Sequence, residues 1–390
     1  MIIRSLTLYD RFKCAGSACK DTCCVRDKLV LDNKTYFEYQ RVISKGDAFG
    51  RRMVASISER NGVASFRMRE NGECPFLMRN HLCELQIRLG ADKVSETCRK
   101  YPTFSKEYGN YREIGCSFSC PEVLRLVLTH PERFEVRERE NDTEPVTFDN
   151  LDVDLLEAIY PVRDRILQIA QDGRSSLQTT AGVLLRLAAK VQEAIDRRQY
   201  GELASLIAPF ENDPTGGMSR EPSDPVQHDL LVRKLLKLHC KFEFKKQENR
   251  DRVFKAYRLF RSETPAEHAE RERSFQAFIA DREYEYRKWL FYLLHRDLLD
   301  AVRDRRFYPR MRHAVVTALC LFEYGSFEWK YRGKFSTQRQ EDLFRNYSRE
   351  LEDTPKNLAR LRKLLCGSAF SVSRLVHGII PPAEAGEEDS

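Results

Sequence analysis

Residues 152–172 read DVDLLEAIYPVRDRILQIAQD, and their apolar positions decide the fold class. Leu155, Leu156, Ile159, Val162, Ile166, Ile169 and Ala170 recur at a period of about 3.6 residues, which puts one apolar stripe along an amphipathic helix. Residues 179–197 repeat the pattern with Val183, Leu184, Leu187, Ala188, Val191 and Ile195. Leu230–Cys240, Ser274–Asp304 and Arg312–Glu323 continue it. From about residue 150 onward the chain therefore reads as helix packed on helix, with six to eight helices expected, broken by a Gly/Pro/Ser-rich loop at 211–226 (ENDPTGGMSREPSDPV). Residues 381–390 (PPAEAGEEDS) read as a disordered acidic tail.

Upstream of this helical part the punctuation changes. Nine of the 12 cysteines lie between Cys14 and Cys120, among frequent glycines and prolines, so the elements there are expected to be short, with little sheet. Leu31–Ser44 reads as a helix capped by Asp32 or Asn33, Gly62–Glu70 as a short strand before an Asn71-Gly72 turn, and Leu82–Leu89 and Pro121–Thr129 as short helices. The expected architecture is mostly α: a small cysteine-rich metal-cluster unit (1–130) packed on a multi-helix domain (131–380).

The 390 residues carry 66 basic and 59 acidic side chains, a net +7 that by itself argues neither for nor against nucleic acid. The longest clean apolar run, Trp289–Leu294, is far below the ~20 residues of a spanning helix, and the first residues lack the features of a signal peptide. The expected compartment is the reducing cytoplasm, where a dense cysteine set points to metal or redox chemistry rather than disulfides. Cys240, Cys320 and Cys366 sit in helical apolar stretches and read as buried small hydrophobes.

The cysteines fall into three groups: Cys14, Cys19, Cys23 and Cys24 in KCAGSACKDTCC, then Cys74, Cys83 and Cys98, then Cys116 and Cys120. Thiolates are soft ligands, and four of them suit tetrahedral zinc or an iron–sulfur cluster. No C-x2-C knuckle of the structural-zinc kind occurs, while Cys74-Pro75 and Cys120-Pro121 lean toward cluster ligation. Adjacent side chains diverge, so Cys23 and Cys24 are not expected to serve one metal together.

Several separate blocks in order, Cys14-x4-Cys19-x-Asp21-Thr22-Cys23-Cys24, Cys74-Pro75-Phe76-Leu77, Leu82-Cys83-Glu84-Leu85-Gln86, Glu96-Thr97-Cys98-Arg99 with Tyr101-Pro102, and Ser119-Cys120-Pro121-Glu122-Val123, resemble the flagellin lysine-N-methylase (FliB) family. The middle block is also similar to zinc- or iron-binding cysteine-cluster proteins. The likeness covers about the first third of the chain at motif level. It implies a cytoplasmic enzyme that moves a methyl group from S-adenosylmethionine to lysine ε-amines of flagellin. It also implies a [4Fe–4S] cluster on the cysteine motif, peripheral membrane association and a homo-oligomer. The metal ligands carried over by this resemblance are Cys14, Cys19, Cys23, Cys24, Cys74, Cys83, Cys98 and Cys120; Cys116 is set aside. Val25-Arg26-Asp27 departs from the aromatic residue that follows the double cysteine in many relatives.

No Gly-rich strand-to-helix turn of the Rossmann kind and no C-x3-C-x2-C motif is present, so the sequence does not place the methyl-donor site or the catalytic residues. The alternative function is a zinc-stabilised cysteine-cluster protein for metal handling or protein interaction, without methyl transfer. An electron-transfer module is a third reading, which so large a helical region disfavours. Residues 233–261 interleave Lys and Arg with Phe242, Phe244, Phe254, Tyr257 and Phe260. The simpler reading is a basic outer face over inward aromatics, although the stretch is the one best suited to touch a membrane. Nucleic acid is not expected among the partners. Residues 303–313 are locally basic at a helix end, and His81, near Cys83, is either a surface-loop residue or a replacement ligand.

Overall fold

The computed structural model describes residues 1–25, 29–144, 150–217, 224–333, 335–352 and 354–379; the acidic tail and part of the 211–226 loop lie outside them. The chain begins with strand β1 (Ile2–Leu6). There follow β2 (Leu29–Val30), α1 (Asn33–Ile43), α2 (Ala48–Ser56), β3 (Ile57–Arg60), β4 (Val63–Phe66), α3 (Glu84–Leu89) and α4 (Glu96–Lys100). Next come β5 (Thr103–Tyr108), β6 (Tyr111–Cys116), α5 (Pro121–Leu128) and β7 (Val136–Glu140). α1 starts where its cap was expected: Asp32 Oδ1 accepts from the Thr35 amide at 2.9 Å.

Two sheets result, more strand than the sequence suggests. One has the order β2-β4-β3, its β3–β4 hairpin turned by Asn61 and Gly62, both at positive φ (52° and 72°). The other has the order β5-β6-β1-β7, with β1 parallel to β6 and antiparallel to β7. The strands at 2–6, 103–108 and 111–116 are hard to read because each is short and its charges (Arg4; Lys106 and Glu107; Arg112 and Glu113) break any apolar–polar alternation. Residues 29–98 enclose a separate core around Tyr39, Met53, Phe66, Phe76 and Leu85. The four-stranded sheet and α5 share the main core with the helices.

The rest is helical: α6 (Val153–Ala170), α7 (Leu177–Asp196), α8 (Leu203–Ile207), α9 (Pro225–His239), α10 (Gln247–Ser262) and α11 (Pro265–Phe278). They are followed by α12 (Tyr284–Asp297), α13 (Ala301–Asp304), α14 (Phe307–Arg332), α15 (Thr337–Glu352), α16 (Pro355–Leu365) and α17 (Val372–Ile379). The mostly α class is observed, although α6 to α17 outnumber the helices expected. The single helix expected over 274–304 is broken at 279–283 into α11 and α12, and the one expected at 312–323 extends over all of α14. α14 is the axis of the body, buried along most of its length against α7, α11, α12, α15 and α16. In the basic–aromatic stretch Phe242 and Phe260 are buried while Lys241, Lys245, Lys255 and Arg258 are exposed, the basic-outer-face arrangement. Among the described residues no helix is long and apolar enough to cross a membrane.

Close packing around α14 leaves no room at Gly325. A Cβ there would lie 3.1 Å from the Phe275 ring and on the Tyr286 hydroxyl, both fully buried. Gly325→Ala is expected to cost about 1–3 kcal/mol by overpacking, read as a lower thermal midpoint with unchanged helical content.

Polar groups stitch the sheet to the helices. Glu113 on β6 meets Arg163 of α6 at 2.9 Å, accepts from Tyr160 at 3.1 Å, and faces Arg4 of β1 at 3.8 Å and His295 of α12 at 3.3 Å. Despite burial, the two arginines and His295 hold the Glu113 carboxyl down at about 2.

Candidate metal centre and the groove beside it

The eight cysteines expected as ligands fall into two electrostatic neighbourhoods of four, which meet where Cys23 and Cys24 are hydrogen-bonded to each other. Cys14, Cys19, Cys23 and Cys120 form the first set: the Cys19 thiol, raised by burial, also feels Cys23 and Cys14, and Cys120, pushed up to about 11 by burial, feels Cys19 and Cys23. Cys24, Cys74, Cys83 and Cys98 form the second: Cys24 feels Cys74 and Cys83, and Cys74, pushed up to about 12 by burial, feels Cys98 and Cys83. Cys23 and Cys24 hydrogen-bond across the divide; that bond, with one to Thr22, holds the Cys24 thiol below its ordinary value against burial.

Local backbone places each thiol. Cys19 Sγ donates to the Asp21 carbonyl at 3.5 Å, and the Cys24 amide donates to Thr22 Oγ1 at 3.2 Å. The Cys74 amide donates to the Cys24 carbonyl at 2.8 Å, tying the first loop to the 29–98 unit. Cys83 is paired to Leu77 by an isolated bridge, Cys98 sits in α4, and Cys120 is the N-cap of α5. Tyr39 stands fully buried against the second set, and its hydroxyl has no hydrogen-bond partner among the described residues. A buried phenol without an acceptor is costly, and a metal-bound sulfur is an acceptor it would meet there.

The first loop is held on α15 by charge. Asp21 binds Arg349 at 2.7 Å and Arg345 at 3.2 Å, with Lys246 at 3.7 Å. Arg349 also donates to the carbonyls of Asp21 and Thr22 on one side and of Ser119 on the other, so one guanidinium clamps the loops bearing Cys19, Cys23 and Cys120. Three cations around one carboxylate leave local positive charge beside four thiols, which suits an anionic tetrathiolate centre. Asp21→Ala is expected to cost about 1.5–3 kcal/mol of charged hydrogen bonding, confined to this loop. Trypsin should then cleave at the exposed Lys13 and Lys20 several-fold faster, with the circular dichroism of the body unchanged.

Eight soft donors in two sets of four fit thiolate-bound zinc or iron–sulfur chemistry. Zn–S bonds of about 2.3 Å would draw sulfurs to roughly 4 Å from one another. Among the described residues no three of these sulfurs lie mutually within 4.8 Å, so the sets are gathered without being closed. Cys116 is buried in the main core next to Cys120, its thiol pushed up to about 11 by burial. His81 is an exposed loop residue. Cys320 is buried as expected, but Cys366 is exposed at the end of α16, because the helix stops there and turns its last residue to solvent.

Beside α4 lies an open groove of about 700 Å³. Its lining includes Glu96 and Thr97 of α4, the helix that carries Cys98, and Ser117, three residues before Cys120. Phe118 stacks on Tyr292 at 3.9 Å, fixing this turn against α12. The wall carries Lys106, Arg296, Asp297, Asp300 and Glu352. Arg296 grips Asp297 through two bonds of 2.9 Å and reaches Glu352 at 3.0 Å, and the Tyr292 hydroxyl donates to Glu352 at 2.6 Å. Asp297, although buried, is kept far below the usual carboxylate range by Arg296 and Lys106. Arg349, Tyr39 and most of the groove wall were invisible in the sequence; the traces were Asp21 in the first cysteine motif and Glu96, Thr97, Tyr101 and Pro102 in the block around Cys98.

Residues 163–376 match the FliB lysine N-methylase C-terminal domain. A lysine-N-methylase of Salmonella typhimurium is 26% identical over 246 residues, 57% of this chain and 58% of that protein. One from Salmonella choleraesuis is 26% identical over 245 residues, 57% of each chain. The flagellar biosynthetic protein FliU of Salmonella muenchen is 30% identical over 140 residues, 33% of this chain and 79% of that protein. The match thus spans somewhat over half the length of the two lysine-N-methylases. No solved structure matches the chain.

Proposed function

Since the chain belongs to the FliB lysine N-methylase family, we propose that it is a protein-lysine N-methyltransferase that takes its methyl group from S-adenosylmethionine and acts on flagellin. Cys14, Cys19, Cys23 and Cys120, and separately Cys24, Cys74, Cys83 and Cys98, are the ligand sets, at least one of them for a [4Fe–4S] cluster. When bound, such a cluster supplies a redox-capable anionic centre that cross-links the loops around it. The observation that carries the reading is the groove: an open channel lined by carboxylates and cations in equal number, beside the segments that bear Cys98 and Cys120.

In the transfer, the lysine nitrogen attacks the methyl carbon of the sulfonium. The N–C bond forms as the C–S bond breaks, the bonding pair returns to sulfur, and one proton leaves the amine. Asp300, partly exposed on the groove wall beside Lys106, offers its carboxylate to the lysine ammonium. The groove is open, so the proton passes to water before attack. Tyr101 and Phe104 offer apolar and aromatic surface to the lysine stem or the adenine ring. Arg296, locked to Asp297 and Glu352, keeps the wall rigid while substrate aligns with donor.

The test is to incubate anaerobically purified full chain with methyl-labelled S-adenosylmethionine and flagellin, and to map label on flagellin lysines by mass spectrometry. Iron, acid-labile sulfide and zinc are measured on the same sample. Labelled lysines with iron and sulfide present support the proposal. Iron-replete protein that labels no lysine overturns the methyltransferase, and stoichiometric zinc without iron or label favours a zinc-stabilised interaction protein.

A further inference from the structure

A second set of donors, chemically unlike the cysteines, lies deep in the helical body. His228 comes from α9, His268 and Glu272 from adjacent turns of α11, and Glu323 from α14. One ligand atom from each lies within 4.8 Å of all the others. His228 Nε2 is 2.7 Å from Glu272 Oε2, and His268 Nε2 is 3.6 Å from Glu272 and 3.3 Å from Glu323. The four side chains are only 1–5% exposed.

We propose that these four residues bind a divalent transition cation of the zinc or ferrous class in a closed two-imidazole, two-carboxylate site that ties α9, α11 and α14 together. Three observations carry this. First, both imidazoles are held from behind. His228 Nδ1 donates to the Gly378 carbonyl at 2.6 Å, and His268 Nδ1 to Asp229 at 3.0 Å. Each ring therefore turns its Nε2 inward, the arrangement by which outer hydrogen bonds fix a ligating histidine. Gly378 is needed for this, because a Cβ there would meet Leu231 at 2.8 Å and α17 could not bring its carbonyl so close.

Second, His228 Nε2 and Glu272 Oε2 are both fully buried and face each other at 2.7 Å, so the imidazole and the carboxylate already converge on one point. Third, the neighbouring charges are already matched. Asp229 is paired with Arg233, Glu263 with Arg271 and Lys330, and Glu323 with Arg271. Glu272 faces both imidazoles and lies against Glu323. Despite burial, Glu272 and Glu323 raise both imidazoles above their ordinary value, His268 to about 11, so protons on the rings balance the carboxylates and a divalent cation binds by displacing them. The adjoining cavity, lined by His228, Glu272 and Glu323 with apolar Leu231 and Leu319, holds about 10 Å³, room for about one water-sized sphere. Four protein ligands without an open position describe a structural rather than a catalytic site.

The experiment uses the full chain, stripped by chelator under anaerobic conditions and titrated with Co2+. Thiolate-bound cobalt has intense sulfur-to-metal charge transfer in the near ultraviolet, whereas imidazole and carboxylate ligation gives only visible d–d bands. Glu272→Gln and His268→Gln are each expected to bind one equivalent less cobalt than wild type while the thiolate band keeps its intensity. Equal cobalt in wild type and folded variants overturns the site, and the cluster is then an ion-paired network. Should either variant fail to fold, X-ray absorption at the cobalt edge of the wild type decides. Imidazole scattering beside the sulfur shell supports the proposal, and a purely sulfur environment overturns it.

Discussion

Cys98→Ser is expected to lose the metal of the second cysteine set and keep that of the first, and Cys19→Ser is expected to do the reverse. In the proposed assignment the two sets draw on separate thiols, Cys23 in one and Cys24 in the other. Each single variant should therefore lose the metal of one thiolate set and the double variant that of both, keeping only a cation held by His228, His268, Glu272 and Glu323. The penalties differ in place. Structural thiolate sites contribute on the order of 10 kcal/mol to their folded units, so loss of one ligand in four should leave the small 29–98 core marginal. Amide exchange across α1 to α4 should then rise by orders of magnitude in Cys98→Ser, while α6 to α17 stay protected. Cys19→Ser should instead loosen the loop clamped by Arg349. Unchanged metal content and unchanged exchange in both variants would sink the two-set arrangement.

Glu113→Ala should be the most destabilising change away from the cysteines. It deletes the carboxylate but leaves Arg163, which is fully buried, and Arg4, whose side chain is 6% exposed. Breaking a buried pair in this way costs about 3–5 kcal/mol. The sheet and α6 would part first, because Arg4 and Arg163 come from those two elements. The same group sets a pH dependence. Its folded-state value of about 2 lies below the unfolded value near 4.3. Glu113 therefore contributes its full stabilisation above about pH 4.3 and loses it as pH falls through 2. The wild-type thermal midpoint should drop over that window more steeply than that of Glu113→Gln, whose side chain cannot titrate. Parallel acid profiles would refute the assignment.

The helical body was legible where burial is apolar. α6, α7 and α9 follow their stripes of Leu, Ile and Val closely. It was not legible where burial is polar. α11 reads PAEHAERERSFQAF, a run of charges that looks solvated, yet His268, Arg271 and Glu272 are buried because their partners arrive from α9 and α14. The one local hint was the four-residue step from His268 to Glu272 on a single helix face. The cysteines were legible as a dense group from spacing and type, and the eight expected ligands came from the family resemblance. Their division into fours was not, since it depends on how the Cys74 amide and Arg349 hold the chain, contacts spanning tens to hundreds of residues. β1 escaped notice because five residues with Arg4 and Ser5 among them show no pattern until Tyr111–Cys116 lies alongside.

That strand has a consequence for how the protein is made. Ile2 is matched with Tyr111 on one side and Glu140 on the other. When β1 is made it is therefore the middle of a sheet whose flanks, β6 and β7, do not yet exist. Everything from 29 to 98 is an insertion inside that gap, with its own core. Its ends are tied where the Glu96 amide donates to Asp32 at 2.8 Å. Once folded it shortens the loop that β1 must close, a saving of roughly 1 kcal/mol in chain entropy. On the proposed ligand assignment the same order would govern metal loading. Cys24, Cys74, Cys83 and Cys98 are all in hand when residue 98 emerges, whereas the set of Cys14, Cys19 and Cys23 waits for Cys120. The first-made thiols are thus the last to be completed.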